Sequence, residues 1–186
     1  DCTLPYSIPT PCNHFHARPI SFEQLEVKAK GKQMRVIVCE DRSLVTQEEI
    51  LPVRTFDGFV EADPQQDLLK LVVVNRYHTA PPVVAFIRGM GLRLGAVAQS
   101  IAHDSHNIIA VGATDFELTQ AINAVIRAKG GIAVSCMDEV SFLPLPIAGL
   151  MSDRPLAEVC RRYQEIEAKI KCLGTPMESL QMTLSF

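Results

Sequence analysis

The sequence predicts an α+β fold: a mixed, mostly antiparallel β-sheet partly covered by two amphipathic helices. Three observations carry that reading. Short apolar or alternating runs recur from about residue 24 to 113, with turn residues between them. Only two stretches, near 114–129 and 155–173, have helical periodicity. Both come late and are separated by two further strand-like runs, whereas a parallel α/β sheet would alternate strand and helix throughout.

In chain order, residues 1–20 (DCTLPYSIPTPCNHFHARPI) hold four prolines and read as an extended linker or arm, leaving 21–186 as the folded domain. His14 and His16 share one side of an extended chain, but no third ligand lies close in sequence. Q-L-E-V-K-A (24–29) alternates as a half-buried strand should. M-R-V-I-V-C and I-L-P-V-R-T-F follow, with a D-G turn at 57–58. K-L-V-V-V-N (70–75) and V-V-A-F-I (83–87) are continuous apolar runs of the kind covered on both faces. N-I-I-A-V-G-A, G-I-A-V-S-C and V-S-F-L-P-L-P supply later strands. The first helix starts at Thr114, where T-D-F-E has capping-box spacing; Phe116, Ala121, Ile122, Val125 and Ile126 recur at helical intervals until Gly130–Gly131. The second follows Ser152–Asp153, tolerates Pro155 in its first turn and carries an apolar stripe from Leu156 through Val159, Tyr163, Ile166 and Ile170 to Leu173. The final M-T-L-S-F reads as a strand.

Composition excludes several classes. At 186 residues and 47% hydrophobic, the chain can bury a core and is not disordered over most of its length. Its 18 Lys and Arg are scattered and the net charge is −3, so no nucleic-acid partner is expected. No apolar run approaches the roughly 20 residues that span a bilayer, so no membrane partner and a cytoplasmic location are expected. The six cysteines form no C-x-x-C pair, and several lie in apolar runs; buried free thiols in a reducing compartment are expected. Beginning at Asp1 and ending in M-T-L-S-F, the chain reads as a cut piece of a longer one.

The chemistry-bearing residues concentrate in H-D-S-H-N: His103, Asp104, Ser105, His106 and Asn107. As a strand, His103, Ser105 and Asn107 share a face; as a helical turn, His103 and His106 converge. The two histidines are weak metal-ligand candidates, because a complete site needs ligands from elsewhere. Asp104 could instead orient an imidazole as a general base, or the stretch is a polar turn satisfying its own backbone. Arg76 and His78 directly follow an apolar strand, a common place for working residues. G-M-G-L-R-L-G (89–95) lacks the Lys-Ser/Thr of a phosphate loop and is followed by a strand, so its glycines are expected at φ > 0 corners. No G-x-S-x-G, H-E-x-x-H or H-x-E…C-x-x-C signature occurs.

Five blocks in order resemble the C-terminal domain of the adenine deaminase family of the amidohydrolase superfamily: D-L-L-K-L-V-V-V-N-R-Y (67–77), R-G-M-G-L-R-L-G-A-V-A-Q-S-I-A-H-D-S-H-N-I-I-A-V-G-A-T-D (88–115), A-I-N-A-V-I-R-A-K-G-G-I (121–132), L-P-L-P-I-A-G-L-M-S-D (143–153) and M-T-L-S-F (182–186). The resemblance implies that the full-length protein hydrolyses adenine to hypoxanthine and ammonia in purine salvage, through a water activated by a divalent metal, manganese or iron. The metal would be held by an amidohydrolase barrel preceding this domain, not by this chain alone. Partners implied are adenine, that barrel and further copies in a homo-oligomer. The H-D-S-H-N elbow, with Arg76 and His78, is then expected to cover or complete the pocket, or to hold an interface. The sequence departs from the family at Gln99 and at Ala80-Pro81-Pro82. The alternative is an independent ligand-binding or oligomerisation module without catalysis.

Overall fold

The computed structural model describes residues 13–186. After a single 3-10 turn at Phe22–Leu25 come β1 (Val27–Lys28), β2 (Gln33–Val38), β3 (Gln47–Pro52) and β4 (Phe59–Val60). A second 3-10 turn precedes β5 (Leu69–Val74), β6 (Val83–Arg88), β7 (Ala96–Gln99) and β8 (Ile108–Gly112). Then follow α1 (Asp115–Ala128), β9 (Gly131–Cys136), β10 (Glu139–Pro144), α2 (Leu156–Cys172) and α3 (Leu180–Ser185). Eight strands form one sheet in the order β10-β9-β7-β8-β5-β6-β2-β3, antiparallel except where β2 meets β6. The α+β fold expected from the sequence is the one observed.

Side-chain alternation gives the sheet two unlike faces. Ala96, Ala98, Ala110, Gly112 and Ala133 point to one side, where α1 lies with Leu118, Ala121, Ile122 and Val125 fully buried. Small residues let the helix approach closely: a Cβ at Gly112 would come within 2.8 Å of Leu118 Cγ. Val97, Val111, Ile132 and Val134 point to the other side and meet Ile166, Ile170 and Leu173 of the α2 stripe, with Leu180 and Leu184 of α3. Each fully buried Leu or Ile contributes about 1.5–3 kcal/mol, so these two interfaces dominate stability.

Local signals explain the ends of elements. Thr114 Oγ1 accepts from Glu117 N and caps α1, and Lys129 leaves it in a left-handed conformation. Asp57 and Gly58 both have positive φ, as the D-G turn requires. The glycine-rich loop turns at positive φ at Gly89, Gly91 and Gly95. Its N–H groups are not free for phosphate, because Gly89 N and Gly91 N donate to the Asp67 carboxylate, each at 2.7 Å.

The structure corrects several expectations. M-T-L-S-F is helical, not a strand: Leu180, Gln181 and Leu184 are buried at helical spacing, while Met182 and Phe186 are exposed. Only Val27–Lys28 of the 24–29 run is strand, because Phe22–Leu25 curls so that Leu25 plugs the α1 side of the core. Val83 is exposed, so β6 is covered only toward its C-terminal end. Phe116 and Leu156 are exposed and lie outside the packed stripes; the buried residues of α2 are Ile166 and Ile170, in its second half. Of the cysteines within the described residues, Cys39 is buried, Cys136 is half-buried, and Cys160 and Cys172 are exposed, all as free thiols; Cys2 and Cys12 lie outside the described residues.

Candidate functional site at one end of the sheet

Register brings separate loops to one end of the sheet. Val74 pairs with Ile108, Gln99 with both Ile109 and Ile132, and Pro144 with Gly131. The loops 75–82, 100–107 and 145–155 therefore emerge together. Buried Ser100 ties them: its Oγ donates to Gly149 O at 2.5 Å and accepts from Gly131 N at 2.9 Å.

Arg76 lies beneath this end and is 4% exposed. Its Nη1 donates to Ala148 O at 2.7 Å, and its guanidinium carbon lies 5.7 Å from the Phe15 ring centre and 4.9 Å from that of Tyr77. No carboxylate pairs with it among the described residues. Gly149, at φ +71°, leaves room for the arginine, since a Cβ would fall 2.3 Å from Arg76 Nη1. The N-terminal segment covers this end: His16 N donates to Arg76 O, and Asn13 Nδ2 to Lys129 O. His14 and His16 are exposed on either side of buried Phe15.

H-D-S-H-N is a tight elbow, neither strand nor helix. Asp104 (φ 62°) and His106 (φ 48°) adopt left-handed conformations. His106 N donates to Ala102 O and Ser105 N to His103 O, closing the turn on itself. His103 N donates to Ser185 O, and its ring lies 5.0 Å from that of Phe186. The remaining side chains divide by role. Asn107 Oδ1 accepts from Arg76 N at 3.3 Å and so fastens the elbow to the neighbouring loop. His103 Nδ1 lies 3.5 Å from Asp104 Oδ2, but both side chains are more than half exposed, so the pair is worth little. His106 is half-buried, and its Nδ1 is buried without a hydrogen-bond partner. Leaving such an atom unpaired costs about 1–3 kcal/mol, and Arg76 Nε, beneath the elbow, is likewise buried without a partner. His78 is exposed on a turn closed by Asn75 Oδ1, which accepts from Tyr77 N and His78 N.

The arrangement offers exposed imidazoles on a rigid footing. It contains no nucleophile–base pair, and among the described residues no three His, Cys, Asp or Glu side chains gather to hold a metal ion. The supporting residues Asn75, Ser100, Ala148, Gly149 and Phe186 were not singled out from sequence. Only Gly149, a glycine inside an apolar stretch, carried a local sign.

A family model described as "Adenine deaminase C-terminal domain" matches residues 43–186. A Parabacteroides distasonis protein named adenine deaminase is 71% identical over 185 residues, covering all of this chain and 34% of the relative. Adenine deaminases of Salinibacter ruber and Methanosarcina mazei are 49% and 46% identical over 94% and 90% of the chain, which covers 32% and 30% of them. The chain thus spans about a third of the length of these curated relatives. By the family match and these identities, the chain belongs to the adenine deaminase C-terminal domain family.

Proposed function

We propose that this chain is the C-terminal portion of an adenine deaminase, in which adenine is hydrolysed to hypoxanthine and ammonia for purine salvage in the cytoplasm. The observation that carries the proposal is the 71% identity, along the whole chain, to a protein of that name. A divalent metal, manganese or iron, would be held by the remainder of the enzyme, an amidohydrolase barrel, and would supply the activated water. Among the described residues no three His, Cys, Asp or Glu side chains gather, which is why the metal ligands are assigned to that barrel in this proposal. No described helix is long and apolar enough to cross a membrane.

Within that enzyme the elbow would face the barrel and close over the adenine pocket. His106 is the residue proposed to make the contact, because its half-buried ring is held by the elbow while part of it stays open to an incoming group. His103 and Asp104 would form the exposed rim, and Arg76 and Asn107 would hold the elbow in place. A second reading, that the elbow holds an interface between copies in a homo-oligomer, draws support from exposed Phe186, whose ring lies 5.0 Å from that of His103.

Substituting His106→Ala in the full-length enzyme distinguishes the two. A pocket role predicts that kcat/KM falls at least tenfold, about 1.4 kcal/mol of transition-state stabilisation, with assembly unchanged. Unchanged kcat/KM with weaker assembly would reject the pocket role in favour of the interface.

A further inference from the structure

The C-terminal end of α2 meets the end of β9 at a seam that the proposed activity does not use. Cys136 closes β9 and Cys172 closes α2. Both line one cavity of about 160 Å³, with Val134, Glu139, Lys169 and Leu173. Cys136 packs against the core cluster that holds Leu173, the neighbour of Cys172, so the end of the strand and the end of the helix share one apolar seam. We propose that Cys136 and Cys172 form a dithiol site that a hydroperoxide closes into a disulfide, locking α2 to the sheet.

The other described cysteines are separated from this pair. The Cys39 thiol is buried and donates to Arg88 O at 3.1 Å. Cys160 lies twelve residues before Cys172 on the same helix, roughly 18 Å along its axis. The pair also divides by environment. Cys172 is exposed and meets the oxidant first; Cys136 is half-buried, and burial, then the charges of Glu117, Glu139 and Cys172, push its thiol up. In the first step the Cys172 thiolate attacks a peroxide oxygen, the O–O bond breaks, and a sulfenic acid and water (or an alcohol) result. Cys136 then loses its proton and attacks the Cys172 sulfur, releasing hydroxide that leaves as water. Two thiols lose two electrons and the peroxide gains them.

The test uses the full-length protein carrying Cys160→Ser, so that Cys136 and Cys172 fall on separate tryptic peptides with no third thiol. It is oxidised with hydrogen peroxide, alkylated, digested and weighed. The expected product is the two peptides joined, two hydrogens lighter than their sum and separated by dithiothreitol. Recovery of both as separately alkylated or over-oxidised residues from folded protein would overturn the proposal. A second measurement needs no oxidation: one equivalent of phenylarsine oxide, which bridges close thiols, should protect both from alkylation. Failure to protect either refutes their proximity.

Discussion

Removal of one hydroxyl tests whether the loop platform is built as described. Ser100 is fully buried, and its Oγ donates to Gly149 O at 2.5 Å while accepting from Gly131 N at 2.9 Å. In Ser100→Ala the fold keeps its shape, but a buried N–H and a buried C=O each lose a partner. A lost neutral hydrogen bond costs about 1 kcal/mol, and stranding a buried polar group about 1–3 kcal/mol. Together these predict a loss of about 3 kcal/mol, or roughly 6–12 °C in Tm for a domain of this size. Urea unfolding and thermal melting of the full-length protein, followed by a probe in this domain, measure it. Ser105→Ala, on the exposed elbow, is the control and should change stability by under about 0.5 kcal/mol. If Ser100→Ala matches that control, Ser100 does not tie the loops, and the argument for a rigid platform under the histidines fails.

Two further outcomes follow from the same geometry and from burial. Gly149→Ala should destabilise by about 2–3 kcal/mol, part from its φ of +71° and part from collision with the Arg76 guanidinium; in an Arg76→Met background only the backbone share, about 1 kcal/mol, should remain, as a double-mutant cycle would show. Burial, then the charge of Asp67, raises the Cys39 thiol from 9.0 to about 11. Because the folded state holds this proton more tightly, the associated stability is complete below pH 9 and is lost as pH rises toward 11. Denaturant titrations should therefore show wild type losing about 2 kcal/mol more than Cys39→Ala over that interval; equal losses would refute the assignment.

What was legible in the sequence was whatever neighbours along the chain decide. The Asp57–Gly58 turn and the stripe from Tyr163 to Leu173 place their meaning within a few residues and form as read; Thr114 caps α1 as read, but the Glu117 carboxylate accepts from Gly95 N, Met137 N and the Thr114 hydroxyl instead of closing the box on the Thr114 N–H. The C-terminal helix was hidden because Leu180, Met182, Leu184 and Phe186 alternate, which imitates one face of a strand. The deciding residue is Gln181, buried because its amide donates to Tyr163 Oη and Glu167 Oε1 on α2. No window of seven residues contains that information.

The candidate site shows the same division in sharper form. H-D-S-H-N was conspicuous because its polar residues adjoin, yet its neighbours in space come from far along the chain: Ser185 receives the His103 N–H, Asn107 reaches Arg76, and Ser100 joins Gly131 to Gly149. The elbow's own hydrogen bonds make only a turn, which any polar pentapeptide with two left-handed residues can form. Its distinction is that a sheet end, a buried arginine and a C-terminal helix hold the turn fixed while His103 stays exposed and His106 keeps an unmet ring nitrogen. Side chains held on such support lose little further freedom when something meets them, which favours a contact there over one on a loose loop. The argument for a contact from outside the chain therefore rests on exposed His103 and half-buried His106 held on that support, not on the density of polar residues in the stretch.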